Sequence, residues 1–248
     1  IEGFYDVIKK NPDIGIICIE GARYDFPKKD FLDAIMNVAR DKNLIIISDE
    51  ITSGWRMTDG GVYKINGFQP DIVVYGKALG GGYAISAVVG KSKIMEMANK
   101  SFISSTMWTE RVGFVAGLKT IEILCRNKGW EKLIEMGTRI GKGWLEIAQK
   151  HEINIDITDF KPLITFKLNY GKNNSIITTL FIQEMLKRGY LASNSIYLSL
   201  AHNNKIIDDY LDNVDEVFKI ISDAIKNNSL SILLETKERS DSFTRLTK

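Results

Sequence analysis

The sequence is poor in the residues that build metal centres and disulfide frameworks. It has two cysteines, Cys18 and Cys125, and two histidines, His151 and His202. The four residues are far apart in sequence, so no metal-ligand spacing exists and a disulfide scaffold is excluded. Each cysteine lies in an apolar stretch, and we therefore expect both to be small core residues.

The sequence also lacks an excess of charge of either sign and a long apolar run. Lys and Arg number 33 and Asp and Glu number 31, which gives no reason to expect a nucleic acid or an anionic membrane as a partner. No apolar run reaches the ~18 residues of a membrane-spanning helix. With 44% hydrophobic residues, the composition is typical of a soluble globular protein, and we expect a cytoplasmic one.

Short apolar runs alternate with a helical pattern in the first part of the sequence. Residues 14–20, 44–48 and 71–75 are largely or wholly apolar, which predicts strands that are buried on both faces. Residues 29–43 have the apolar period of a helix. The alternation predicts an α/β unit with a mostly parallel sheet. A strand at residues 85–90 follows too soon for a helical crossover, which is compatible with an antiparallel direction.

From about residue 109 onward, the sequence alternates long helical patterns with short strand-like segments. The predicted helices cover residues 110–126, 130–147, 176–188 and 206–225, and the predicted strands cover residues 153–158, 163–168 and 196–200. This order predicts a smaller α+β unit after the α/β unit. The predicted boundaries are 1–126 for the first unit, 127–235 for the second and 236–248 for a polar tail.

Two strand ends carry side chains that can do chemistry. Asp49 follows one predicted strand, and Lys77, close to the glycines 80–82, follows another. Open α/β sheets present functional groups at the C-terminal ends of their strands. A lysine can form a Schiff base with an aldehyde cofactor, and an aspartate can keep a pyridine nitrogen protonated, which makes pyridoxal phosphate an electron sink. Each residue alone is more typical of a solvated lysine or a helix cap, and only the pair points to this cofactor.

Both strand ends resemble the signature of class III pyridoxal-phosphate aminotransferases, in residues 49–54 (DEITSG) and 70–82 (PDIVVYGKALGGG). Within this class, residues 54–56 (GWR) are similar to the glutamate-1-semialdehyde aminomutase branch. Residues 199–202 (SLAH) resemble a late strand and turn of the family. The resemblance implies part of the large α/β domain of a fold-type I pyridoxal-phosphate transferase, followed by a smaller C-terminal α+β domain.

The resemblance also implies roles for individual residues. Lys77 would be the Schiff-base lysine and the proton carrier, and Asp49 would pair with the pyridine nitrogen. Ile51 would pack against the pyridine ring. Thr106 would bind the cofactor phosphate of the partner subunit, because the family builds its sites across a homodimer interface. Glu20 would have a structural role. The implied reaction moves an amino group between a small amino donor and a carbonyl acceptor.

The sequence departs from the family at positions that bear on the reaction. Asn194 stands where the aminomutase has a gating glutamate, which favours transamination. No arginine lies in residues 191–200 to bind a substrate carboxylate, and the nearest is Arg188. The aminomutase reaction and a partial subunit without activity stay open as alternatives. A nucleotide-binding kinase is excluded, because its phosphate loop needs the glycines before the lysine.

The family's N-terminal part supplies a Gly-Ser/Thr-rich loop for the cofactor phosphate and an aromatic residue that stacks on the ring. Nothing before Ile14 resembles either element, and residue 1 is Ile rather than Met. We therefore expect the sequence to correspond to the C-terminal half or more of a family member. Without those phosphate donors, residues 1–248 alone are expected to bind the cofactor poorly.

Overall fold

The computed structural model describes residues 1–104 and 106–240, which form two compact units. Unit 1 covers Ile1–Lys132, and unit 2 begins at Leu133. The predicted change from an α/β pattern to an α+β pattern is confirmed, because a mostly parallel sheet lies in unit 1 and an antiparallel sheet lies in unit 2. No helix in the described part of the chain is long and apolar enough to cross a bilayer.

Unit 1 is built on a four-stranded sheet with the strand order β1-β2-β3-β4. The strands are β1 (Ile16–Glu20), β2 (Ile45–Asp49), β3 (Ile72–Tyr75) and β4 (Ala87–Gly90). The first three are parallel and β4 is antiparallel to β3. Glu20 pairs with Asp49, and Asp49 with Val74, so the C-terminal ends of the parallel strands lie level at one edge.

The helices of unit 1 are α1 (Glu2–Lys10), α2 (Lys29–Lys42), α3 (Tyr63–Asn66), α4 (Ser92–Met95) and α5 (Arg111–Arg126). Two short 3₁₀ helices cover Lys77–Gly80 and Glu96–Lys100. Helix α2 buries Leu32 and Ile35 in a cluster with Ile46 of β2. Asn43 caps its C-terminus with a left-handed backbone, and the N–H of Asn43 bonds to the carbonyls of Ala39 and Arg40.

The two faces of this sheet are covered unequally. Ile46, Ser48, Val73 and Tyr75 point to a buried face. The alternate residues lie on the other face, where Ile16 and Val88 are each 54% exposed. The prediction of strands buried on both faces is therefore wrong for the described residues. An apolar strand sequence shows that both faces can be buried, but it does not show which element covers each face.

Both cysteines are exposed, so their assignment to the core is wrong. Cys18 lies on the less covered face of the sheet, in register with Ile47. Cys125 belongs to an apolar stripe of α5, but this helix buries Gly113, Gly117 and Leu124 instead of that stripe. The period of the stripe predicted the helix correctly and the buried side incorrectly.

Unit 2 packs helices against a three-stranded antiparallel sheet. Its strands are β5 (Ile155–Ile157), β6 (Leu163–Leu168) and β7 (Ser195–Tyr197). Its helices are α6 (Gly129–Lys150, which begins in unit 1), α7 (Asn174–Lys187), α8 (Asn204–Lys226) and α9 (Leu230–Leu233), with a 3₁₀ helix at Gly171–Asn173. Phe166 forms edge-to-face contacts with Trp144, Phe181 and Phe218, which fixes the centre of this core.

Candidate functional site

Lys77 has an unusual backbone at the start of the 3₁₀ helix that follows β3. Its φ angle is +43°, in the left-handed region that non-glycine residues occupy rarely and at a cost of about 1–3 kcal/mol. Such a conformation persists only where the surrounding structure holds it. The Nζ atom of Lys77 donates a hydrogen bond of 2.7 Å to Oγ1 of Thr52, so the end of the side chain is held as well as its backbone.

Asp49 is the last residue of β2 and lies on the less covered face of the sheet. Its Oδ1 atom accepts a hydrogen bond of 2.9 Å from the N–H of Ile51, and a carboxylate can accept several further donors. Burial and the negative charge of Asp49 both raise the pKa of the Cys18 thiol. The register of β1 and β2 places Cys18, Glu20 and Asp49 on this same face of the sheet.

A cavity of about 700 Å³ opens beside Lys77. Its lining includes Ile51, Lys77, Met107, Trp108 and the start of α5. The structure thus brings two of the predicted site residues, Lys77 and Ile51, to one cavity. Asp49 is not in its wall but is bonded to Ile51, and Thr106 is exposed next to Met107.

Sequence reasoning missed Glu50, although its side chain organises the loop around the site. Its carboxylate is fully buried and accepts hydrogen bonds from Ser48 Oγ, Ser53 Oγ and the N–H groups of Val62 and Tyr63. One side chain therefore ties the end of β2 to both ends of the loop 51–63. Serines on both sides of Glu50 in the sequence are a signal that could have indicated a buried carboxylate.

Two glycines make room for this carboxylate. A Cβ atom on Gly21 would lie 2.9 Å from Oε1 of Glu50, and one on Gly61 would lie 2.7 Å from its Cδ. Carbon atoms do not approach so closely without a shift of the backbone. A Cβ at Gly21 would also lie 2.5 Å from Cγ2 of Val62, and one at Gly61 would lie 2.5 Å from the ring of Tyr63, so glycine at both positions lets Glu50, Val62 and Tyr63 pack together.

Thr52 is a second residue that the sequence did not single out. It is 2% exposed, accepts the hydrogen bond from Lys77 and donates one of 3.2 Å to Oε1 of Glu20. Glu20 also lies 3.8 Å from the guanidinium of Arg23. These contacts connect the amine of Lys77 to an ion pair at the end of β1.

The model of the family "Aminotransferase class-III" matches residues 17–225. The chain belongs to this family. The resemblance seen in the two strand-end motifs is thereby confirmed, and it extends through both structural units.

Two curated proteins illustrate the relationship. A 3-aminobutyryl-CoA aminotransferase of Cloacimonas acidaminovorans is 37% identical over 150 residues, which cover 59% of this chain and 36% of the relative. A glutamate-1-semialdehyde 2,1-aminomutase of Nitrosopumilus maritimus is 30% identical over 238 residues, which cover 85% of this chain and 56% of the relative. The matched part of this class-III chain thus spans between about a third and just over half of the length of these relatives.

Solved structures show the same fold. The FumI protein of Sphingopyxis sp. MTA144, in its PLP internal aldimine form, superposes with a TM-score of 0.85 at 20% identity and covers 94% of this chain and 58% of its own. An omega-transaminase from Sphaerobacter thermophilus gives a TM-score of 0.81 at 18% identity, and the match covers 89% of this chain and 56% of the transaminase. The predicted fold of a PLP-dependent transferase is therefore confirmed for this class-III chain.

We predict that Glu50→Gln destabilises unit 1 of this class-III chain by about 1–3 kcal/mol. An amide places an NH₂ group where the carboxylate had an acceptor oxygen. The serines can rotate in response, but the backbone N–H of Val62 or Tyr63 cannot, and it loses its acceptor. Urea unfolding followed by fluorescence measures the loss. The exposed Glu96 provides a matched control, since Glu96→Gln should change stability by less than about 0.5 kcal/mol. Equal stabilities of the two variants would contradict the assigned role of Glu50.

Proposed function

We propose that the protein is a pyridoxal-phosphate-dependent aminotransferase and that Lys77 binds the cofactor aldehyde. The observation that carries this proposal is the conformation of Lys77. Its backbone is held in the left-handed region at the C-terminal edge of a parallel sheet, and its amine is held by Thr52 beside a cavity of about 700 Å³. Membership of the class-III aminotransferase family supports the same assignment.

The described residues fit two parts of this cofactor. Lys77 provides the amine for the aldehyde, and Ile51 provides an apolar surface for the ring in the same cavity. Asp49 provides a carboxylate beside Ile51 for the ring nitrogen. The described lining of the cavity offers little to bind the phosphate, because Lys77 is the only cation among the described residues in it. We propose that Thr106 of the partner subunit contributes to binding of the phosphate.

Pyridoxal phosphate, when bound, supplies an electron sink that stabilises negative charge on a carbon of the amino donor. In the proposed mechanism, the carboxylate of Asp49 holds the proton on the ring nitrogen and thereby preserves the sink. The Nζ atom of Lys77 accepts the proton from the donor carbon and returns it during the reaction. Ile51 would offer its apolar side chain to the ring in the same cavity.

The geometry around Asn194 favours transamination over aminomutation. The side-chain amide of Asn194 donates a hydrogen bond of 3.0 Å to the backbone carbonyl of Phe166. The backbone carbonyl of Asn194 accepts one of 3.0 Å from the N–H of Phe166. Asn194 therefore extends the pairing of β7 with β6. A neutral amide that is committed to this pairing cannot replace the gating glutamate of the aminomutase.

Arg188 is also committed to internal contacts. Its guanidinium lies 3.3 Å from the carboxylates of both Glu184 and Glu216. This geometry supports a substrate that does not rely on an arginine clamp at this position. A polar amino acceptor without a carboxylate there, such as a sugar or a semialdehyde, fits the proposal.

An exposed apolar surface supports the proposal of a homodimer. It consists of Phe102, Ile103, Met107 and Trp108 together with Val112, Phe114, Val115 and Leu118 of α5. Phe102 is 98% exposed and Leu118 is 71% exposed. A surface of this kind is typical of a protein interface. We propose that a second copy of the chain covers it, and Thr106 lies within the same segment.

We predict that, in the full-length protein, Lys77→Ala abolishes the visible absorbance of the bound cofactor and lowers the rate of transamination by several orders of magnitude. The reason is that the variant lacks the amine for the aldehyde and for the proton of the donor carbon. The matched control is Lys91→Ala, which removes a lysine paired with Asp71 at a distance of 2.6 Å, and it should leave both signals in place. Undiminished transamination by Lys77→Ala would refute the assignment.

We predict that Leu118→Glu converts the dimer into a monomer, because it places a charge in the apolar interface at a cost of several kcal/mol. Sedimentation velocity of the full-length protein measures the change. Leu186→Glu is the control, since Leu186 is an exposed helical leucine of α7 outside the proposed interface, and this variant should stay dimeric. A monomeric wild-type protein with full transaminase activity would contradict the proposal.

A further inference from the structure

Thr52 connects the amine of Lys77 to the carboxylate of Glu20. The Nζ atom of Lys77 lies 2.7 Å from Oγ1 of Thr52, and that oxygen lies 3.2 Å from Oε1 of Glu20. Thr52 is almost completely buried. Its hydroxyl group is therefore screened from water, and these two neighbours determine its hydrogen bonding.

The direction of both hydrogen bonds follows from the number of protons. A hydroxyl group has one proton, and an ionised carboxylate can only accept. Thr52 gives its proton to Glu20 and presents a lone pair to Lys77. Lys77 must then donate to Thr52. The Thr52 proton is already given to Glu20, so Thr52 cannot donate to the lone pair of a neutral Lys77 amine.

We infer that Thr52 is a positioning residue for Lys77 and that Glu20 sets the direction of its hydroxyl group. In this arrangement one N–H of Lys77 is anchored, while the nitrogen lone pair stays available on the side of the cavity. This inference rests on the proposed function only for its consequence, which is a lysine amine that is oriented for attack on an aldehyde. The hydrogen-bond arrangement itself does not depend on any cofactor.

Both partners of the Lys77–Thr52 bond are fixed by other contacts. The Nε atom of Arg56 donates a hydrogen bond of 3.0 Å to the carbonyl of Thr52, and the backbone of Lys77 is held at a φ of +43°. A free lysine side chain has up to about 2 kcal/mol of rotamer entropy. The fold thus fixes the backbone of Lys77 and the position of Thr52, and the hydrogen bond to Thr52 fixes the Nζ atom of Lys77.

The hydrogen exchange of the lysine ammonium protons tests the arrangement without any cofactor. Proton-detected NMR of cofactor-free protein labelled with ¹⁵N-lysine measures this exchange at mildly acidic pH, and the Lys77 signal is assigned by its loss in Lys77→Ala. We expect Thr52→Val to accelerate exchange at Lys77 about fivefold, since the acceptor is removed at nearly constant shape. Thr52→Ser should stay within about twofold of the wild-type rate, because it keeps the hydroxyl group.

Glu20→Gln tests the direction of the hydroxyl group. The NH₂ group of an amide can donate to the Thr52 oxygen and compete there with the ammonium of Lys77, so exchange at Lys77 should also become faster. Lys91, which is paired with Asp71 at 2.6 Å, is the internal reference and should exchange at one rate in all variants. Wild-type exchange at Lys77 in Thr52→Val or in Glu20→Gln would overturn the inference.

The rate at which pyridoxal phosphate is captured separates this inference from the proposed function. In the full-length protein, we expect capture, followed by the visible absorbance of the bound cofactor, to be about tenfold slower in Thr52→Val and restored in Thr52→Ser. If no variant, the wild type included, captures the cofactor, the proposed function fails, and the exchange data still decide the role of Thr52. If Thr52→Val captures it at the wild-type rate, the positioning role is refuted while the proposed function stands.

Discussion

The parallel pairing of β1, β2 and β3 is the constraint on which the site depends. Because Glu20 pairs with Asp49 and Asp49 with Val74, three strands end at the same level. Residues that are 57 positions apart in sequence, from Glu20 to Lys77, then come within hydrogen-bonding reach through Thr52. A shift of the register by one residue would turn Glu20 and Asp49 to the other face of the sheet and separate them from Lys77.

The buried carboxylate of Glu50 fixes the loop that follows β2 relative to the end of that strand. It provides acceptors for two backbone N–H groups and two serine hydroxyls. The loop that contains Ile51 and Thr52 is therefore held at both ends by one side chain. Function at Lys77 and stability of the loop are thus linked, although Glu50 itself has no predicted contact with a substrate or cofactor.

Much of the fold could be predicted from the sequence, because apolar runs and helical periods report local structure directly. The strands at 44–48 and 71–75 were predicted to within one residue of β2 and β3. The exposed stripe of α5 and the exposed Cys18 could not be predicted, since a period does not reveal which element covers a face. Lys77 and Asp49 were singled out because the sequence places them at the ends of predicted strands. Glu50 and Thr52 were missed because their importance lies in side-chain contacts across residues that are distant in sequence.

The central claim is that Lys77 is the residue that binds the cofactor aldehyde. It is tested most directly by incubation of the full-length protein with pyridoxal phosphate, reduction with borohydride, digestion and mass spectrometry of the peptides. The account predicts one stoichiometric phosphopyridoxyl group, on the peptide that contains Lys77. Attachment to another lysine, or scattered substoichiometric labelling with Lys77 unmodified, would contradict it.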